Sequence, residues 1–315
     1  MHKAFDGDLD PTKRYIFGYL PHGLYPAGAG YVSHLPSWRR AFPGVAPRVL
    51  CANIMHYAPI IRDLGAWLGF RQVTRQAFAR ALQDGGHVLM CPGGQRELLY
   101  ATEARPGPRP VVRICVHHRG FCRLAAEHGA ALLPVLCFGE LLQLQNAVTW
   151  SWLQRRSYKL IGASLFRQDA LACCSTRMWD VLMSRAACRC HRVSRGTVCQ
   201  LCPSDVRLLR QRHHAFARSS HNVVRVTTHL SRAGFPLPYL LLGFWGMPLP
   251  KRTPAAFVVG PPVHPAPRGA GEAVTGEMVA DLHRRFYESV RTLWDEHRQR
   301  HTGYEHHVLE FDGEL

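Results

Sequence analysis

Apolar residues in this chain fall into short runs divided by polar corners, and the runs alternate between a strand period and a helix period. Tyr15-Ile16-Phe17-Gly18-Tyr19 reads as a strand that ends in a Leu20-Pro21-His22-Gly23 corner, where proline fixes φ and glycine permits a tight turn. Arg48 to Ala52 is a second short strand. Asn53 can cap a helix running to about Leu68, with Ile54, Ala58, Ile61, Gly65 and Leu68 on one face. Val73 starts a brief strand or turn, and Thr74 to Leu82 has a helical period that stops at Asp84-Gly85-Gly86. His87 to Cys91 is a buried-type strand opening into Pro92-Gly93-Gly94. Gly120 to His128 is helical and is stopped by Gly129, while Ala131–Phe138 and Phe257–Gly260 are again buried strands. From Gly276 to about Arg300 a long amphipathic helix lines up Val279, Leu282, Phe286, Val290, Leu293 and Trp294 in one stripe. That stripe fits packing on a sheet better than contact with a membrane. Strands alternating with helices predict an α/β layer fold.

The pattern fails between Ala163 and Gly234. That stretch is rich in Arg, Cys, Ser and His and carries no sustained helical or alternating period. Six of the 11 cysteines lie between Cys173 and Cys202. Of the net charge of +17, residues 155–232 hold +12, so the remainder is only mildly basic. This uneven distribution argues against a nucleic-acid protein. Residues 163–234 read as an in-frame insertion or a translated intron. A sharper reading is a zinc site from Cys188, Cys190, His191, Cys199 and Cys202, although the spacing matches no standard finger. An RNA-binding arginine tract fits the composition but lacks interleaved aromatic residues.

A chain of 315 residues with 47% hydrophobic content can bury one large domain or two small ones. No run of about 18 apolar residues marks a membrane span, and residues 1–10 do not read as a signal peptide. Phe235 to Pro250 is greasy but broken by proline and glycine. It fits a segment that dips into one leaflet or lines an acyl groove, or an ordinary core strand and loop.

His22 is the leading candidate for chemistry, because a histidine held on a stiff corner can take a proton from a hydroxyl near neutral pH. Its bland alternative is a turn histidine with a structural hydrogen bond. Pro92-Gly93-Gly94 offers bare backbone, so that free N–H groups of Gly93 and Gly94 can face an oxyanion or a phosphate. Cys91 reads as a strand-end packing residue and not as a nucleophile.

The order of four blocks carries more information than any one of them. They are Leu20-Pro21-His22-Gly23, Gly69-Phe70-Arg71-Gln72-Val73-Thr74-Arg75, Pro92-Gly93-Gly94-Gln95-Arg96-Glu97, and Gly129 to Val135 running into Phe138-Gly139-Glu140. Arg119-Gly120-Phe121, Phe235-Pro236-Leu237-Pro238 and Val258-Val259-Gly260 add to them. In this order they resemble the diacylglycerol acyltransferase type 2 family of the glycerolipid acyltransferases, over residues 11–162 and 235–300. The resemblance implies a mixed sheet flanked by helices, with a first part of the domain at 1–162, an insertion at 163–234 and a second part at 235–315. It implies an O-acyltransferase that esterifies diacylglycerol from acyl-CoA as co-substrate, with no further cofactor, no metal and no nucleic-acid partner. The implied place is the cytosolic face of the endoplasmic reticulum membrane, and lipid droplets beyond it.

By the resemblance His22 and Glu97 are catalytic, and Arg75, Gly93 and Gly94 bind the co-substrate. Arg75 takes the place of a superfamily arginine that engages phosphate, and is assigned to coenzyme A phosphates; the alternative is an exposed arginine at a helix start. Glu97 either orients His22 or caps the turn behind the glycines. The chain departs from the family in two places: Leu20 stands for the first histidine of the tetrapeptide, and Ala27 for the superfamily aspartate five residues after His22. The carboxylate partner of His22 is therefore expected from Glu97, or less favourably Asp63. Family members begin with apolar membrane segments, so a chain opening almost on the histidine block is expected to be truncated, a fragment, or peripheral. The alternatives are the same chemistry on monoacylglycerol or a long-chain alcohol, and an inactive membrane-associated binding protein.

Overall fold

The computed structural model describes residues 1–52, 61–84, 86–100, 110–146, 152, 155–156, 241–242, 251–269 and 271–315. The chain divides into two compact units, one of residues 1–154 with 238–315 and the other of residues 155–237. Residues 163–234, read above as an insertion and carrying the cysteines of the zinc reading, lie outside the described residues, as does nearly all of Phe235 to Pro250.

The first unit opens with β1 (His2–Lys3) and β2 (Tyr15–Leu20), then the short helices α1 (Ala27–Tyr31) and α2 (Pro36–Ala41). There follow β3 (Pro47–Cys51), α3 (Ile61–Trp67), β4 (Arg71–Gln72), α4 (Arg75–Gln83) and β5 (His87–Met90). Next come α5 (Glu97–Tyr100), β6 (Val111–Cys115), α6 (Gly120–His128), β7 (Ala131–Phe138) and β8 (Gln145–Asn146). The later part adds β9 (Leu241–Leu242), β10 (Ala256–Val259), α7 (Gly276–His297) and β11 (Val308–Asp312).

Seven of these strands make one mixed sheet in the order β1-β10-β7-β2-β5-β3-β4. β2 runs parallel to both β5 and β7, whereas β10 runs antiparallel to β7. Every residue of β2 and of β7 is buried, which is what a strand covered on both faces requires. Their side chains alternate between two cores. Ile16, Leu20, Leu132, Leu136 and Phe138 pack into one with α6 and α7; Tyr15, Phe17, Tyr19, Leu133 and Val135 pack into the other with Trp38 of α2 and with Phe42 just after it. A separate parallel pair, β6 with β11, ties the C-terminal strand to the segment behind α5.

The predicted α/β order holds, with local adjustments. Thr74 is not helical but caps α4, its hydroxyl accepting the Ala77 N–H at 3.1 Å. Val73 follows β4, which occupies Arg71–Gln72. The helix expected from Asn53 is described only over Ile61–Trp67. The long helix stops at His297 and tightens into a 3₁₀ turn at Arg298–Arg300. Its Phe286 is fully buried against Phe121, ring centroids 5.4 Å apart, and its rim fills the space that Gly18 of β2 leaves open. Phe286→Ala is therefore expected to lower stability by about 3–5 kcal/mol. A urea unfolding midpoint equal to that of the unaltered chain would show that α7 does not carry this face of the sheet.

Candidate active site

β2 ends at Leu20, and the next three residues turn the chain away from the sheet. Gly23 has φ +59°, a left-handed conformation in which glycine is unstrained. The corner sets His22 inside the protein, 4% exposed. Its Nδ1 lies 2.8 Å from the Gly23 carbonyl oxygen and its Nε2 2.6 Å from the Gly94 carbonyl oxygen. A carbonyl only accepts, so a ring nitrogen bonded to one must carry the proton, and a neutral ring can satisfy just one of the two.

Glu97 reaches the same ring from the first turn of α5. Its Oε2 is 3.6 Å from His22 Nε2, close enough for charge attraction though too long for a hydrogen bond. Its Oε1 accepts the Cys115 N–H at 3.2 Å, and the residue is 4% exposed. Burial raises the Glu97 carboxyl above its ordinary range, opposed by the charge of His22 and by backbone donors of Cys115 and His22. Gly93 admits this carboxylate: a Cβ there would fall 1.7 Å from Glu97 Oε1. Gly94, at φ +57°, turns its carbonyl to His22 while its N–H bonds the Cys91 carbonyl at 3.2 Å. Behind α5, Asp312 of β11 accepts from Tyr100 and lies 3.2 Å from Arg96 and 3.5 Å from His117.

A second buried carboxylate, not singled out from the sequence, flanks the corner from the far side. Glu140 follows β7 after a single glycine, Gly139, and is 3% exposed. One oxygen accepts from the Tyr19 hydroxyl and the other from the Gly28 N–H at 2.7 Å. It thus holds both ends of the loop that carries His22, the last turn of β2 and the start of α1. Ala27, where the superfamily has aspartate, stands one residue before this bond. The signal was present in the sequence: a charge placed one glycine beyond eight apolar residues must find partners inside. Burial pushes the Glu140 carboxyl up to about 7, against the opposing pull of Tyr19, Gly28, His22 and Cys137.

Of the other predicted residues, Leu20 is core, and Asp63 is exposed on α3. Arg75 starts α4 and forms a 3.0 Å ion pair with Glu127 of α6; no described contact joins it to His22. The Cys91 thiol is pushed up by burial and then by Glu140 and Glu97, which suits a packing role. Among the described residues no group of three or more His, Cys, Asp or Glu is placed to hold a metal, and no helix is long and apolar enough to cross a membrane.

A histidine at the carboxyl edge of a largely parallel sheet, backed by a buried carboxylate, has the chemical means to move a proton. Residues 1–167 match the diacylglycerol acyltransferase family, and the chain belongs to that family. It is 34% identical over 169 residues to 2-acylglycerol O-acyltransferase 1 of Mus musculus, covering 50% of this chain and 49% of the relative. It is 35% identical over 144 residues to diacylglycerol O-acyltransferase 1 of Schizosaccharomyces pombe, covering 44% and 40%. Over 145 residues it is 33% identical to diacylglycerol O-acyltransferase 2A of Umbelopsis ramanniana, covering 44% and 39%. The chain spans about half the length, or less, of these curated relatives. No solved structure matches it.

The Glu140 carboxyl gives a test of the geometry through pH. Its value in the folded protein, about 7, lies above the 4.5 of a free glutamate, so the native state keeps a proton that the unfolded chain has released. The stability from this group is complete below about pH 4.5 and is lost as pH rises through 7. Glu140→Gln is expected to remove that slope, so that its urea midpoint gains on the parent between pH 5 and 8. Parallel midpoint curves for the two proteins would place the carboxyl in an ordinary, solvated setting.

Proposed function

We propose that the protein is an acyl-CoA-dependent O-acyltransferase that converts a diacylglycerol to triacylglycerol, with His22 as general base. The observation that carries this reading is the buried contact of His22 with Glu97 at 3.6 Å, in a chain whose first 167 residues match the family. In the proposed step His22 takes the hydroxyl proton as the alcohol oxygen bonds to the thioester carbon. The C–S bond then breaks, and the coenzyme A sulfur leaves with the proton returned by His22. Glu97 supports the imidazolium formed in between, and such proton transfer is worth about 10²–10⁴-fold in rate.

The Pro92–Gly94 turn has to open for this chemistry. The Gly94 carbonyl must leave Nε2 before the ring can accept a proton there. Its N–H must leave the Cys91 carbonyl before Gly93 and Gly94 can cradle an oxyanion or a phosphate of the co-substrate. Arg75 is assigned to the coenzyme A phosphates, which requires it to exchange Glu127 for the ligand. The lipid acceptor places the reaction at a membrane surface, proposed as the cytosolic face of the endoplasmic reticulum and lipid droplets.

A second acceptor, monoacylglycerol, is favoured by the match to the mouse 2-acylglycerol O-acyltransferase. Labelled acyl-CoA offered with either acylglycerol, in membranes from a host without its own activity, separates the two by product. His22→Ala is expected to abolish turnover at unchanged protein level, and Glu97→Gln to lower it by about 10²-fold or more. Full activity in His22→Ala would remove the histidine from the mechanism.

A further inference from the structure

Where β2 and β7 begin, at the edge of the sheet opposite His22, there is a cavity of about 310 Å³. Five residue steps along β2, about 17 Å at about 3.3 Å each, separate this edge from the end of the strand that carries the histidine corner. The cavity is lined by Thr12, Lys13, Arg14 and Tyr15 on one side and by His128, Gly129, Ala131 and His264 on the other. Four of these eight side chains carry basic nitrogen and none carries a carboxylate.

Surrounding charge reinforces the lining. Arg14 reaches across to the His128 carbonyl at 3.1 Å, and Arg268 to the Glu127 carbonyl at 2.6 Å, which brings two guanidinium groups to the end of α6. Of the nearby carboxylates, Glu127 is held by Arg75, whereas Asp10 keeps its charge, accepting from the hydroxyl and the N–H of Thr12 and attracting Lys13. The His128 imidazole registers the surplus: burial first, then Arg14, Arg268 and Arg75 hold it below its ordinary value, with Glu127 opposing. A small concave site whose cations outnumber its free anions favours a compact ligand of high negative charge, and guanidinium, ammonium and imidazole donors match phosphate oxygens.

We propose that this cavity is an anion site, separate from the His22 centre, that binds a phosphomonoester group. The group is either the headgroup of an acidic phospholipid or a free phosphate. Lys13 and His264 supply the exposed donors of the site, and Arg14 and His128 its inner wall.

Thermal unfolding of the full chain tests this without relying on turnover. The probes are inorganic phosphate, dioctanoyl phosphatidic acid and dioctanoyl phosphatidylcholine, at constant ionic strength. Ligand at a hundredfold excess over its Kd is expected to raise the midpoint by roughly 5–10 °C. The rise should be lost in Lys13→Glu and in His264→Ala, two surface changes that leave the unliganded midpoint near that of the parent. A rise with inorganic phosphate identifies a soluble ligand. A rise with phosphatidic acid alone identifies a lipid headgroup. No rise with either, an equal rise with phosphatidylcholine, or a rise retained in both variants overturns the proposal.

Discussion

The hydrogen-bonded position of β2 between β5 and β7 constrains everything near His22. Both edges of the strand are paired in parallel and both of its faces are buried, so it has no freedom to slide or tilt. A slip of one residue would exchange the two cores, placing Phe17 and Tyr19 where Ile16 and Leu20 now pack. The corner that follows inherits this rigidity. Proline then fixes φ ahead of the histidine, a left-handed glycine lets the chain turn sharply after it, and the imidazole is aimed into the protein.

Around that fixed ring the protein concentrates ionisable groups that are costly to bury singly. Glu97 and Glu140 approach from opposite elements, each with at least one backbone N–H donor and each raised by burial. Their tasks differ. Glu97 faces the ring, and among the described residues its inner oxygen has no hydrogen-bond partner, which leaves that oxygen available to a charge on the imidazole. Glu140 has both oxygens satisfied by Tyr19 and Gly28, so it acts on the histidine by fixing the ends of its loop. Glycines make both approaches sterically possible: a Cβ at Gly93 or Gly28 would collide with Glu97 or with the Tyr19 hydroxyl.

Much of this architecture could be read from the sequence, because the strands with continuous apolar runs are the ones buried on two faces. Ala131–Phe138 and Gly120–His128 agree residue for residue with the elements expected. Short elements escaped because two to six residues show no period: β1, α1, α2 and the β6–β11 pair depend on tertiary partners. At the site, His22 and Glu97 stood out because their motifs are compact and ordered, and the structure brings them together. Glu140 was quoted within a motif yet given no task, since the partners that explain it, Tyr19 and Gly28, lie more than 100 residues away. Arg75 shows the converse. A motif position suggested a ligand contact, while its guanidinium is engaged by Glu127.

The strand β10 and the helix α7 close the sheet from beyond residue 250, on the far side of the long middle segment. β10 pairs with β7, and α7 covers the face that carries Ile16, Leu20 and Leu132. The portion that matches the family therefore does not enclose its own core. A strand pairing and a greasy helix face, noncovalent and complementary to each other, hold the two portions of the fold together. Were the chain cut in its middle segment, the β7–β10 pairing and the apolar face of α7 would be the contacts left to keep the two portions in one fold.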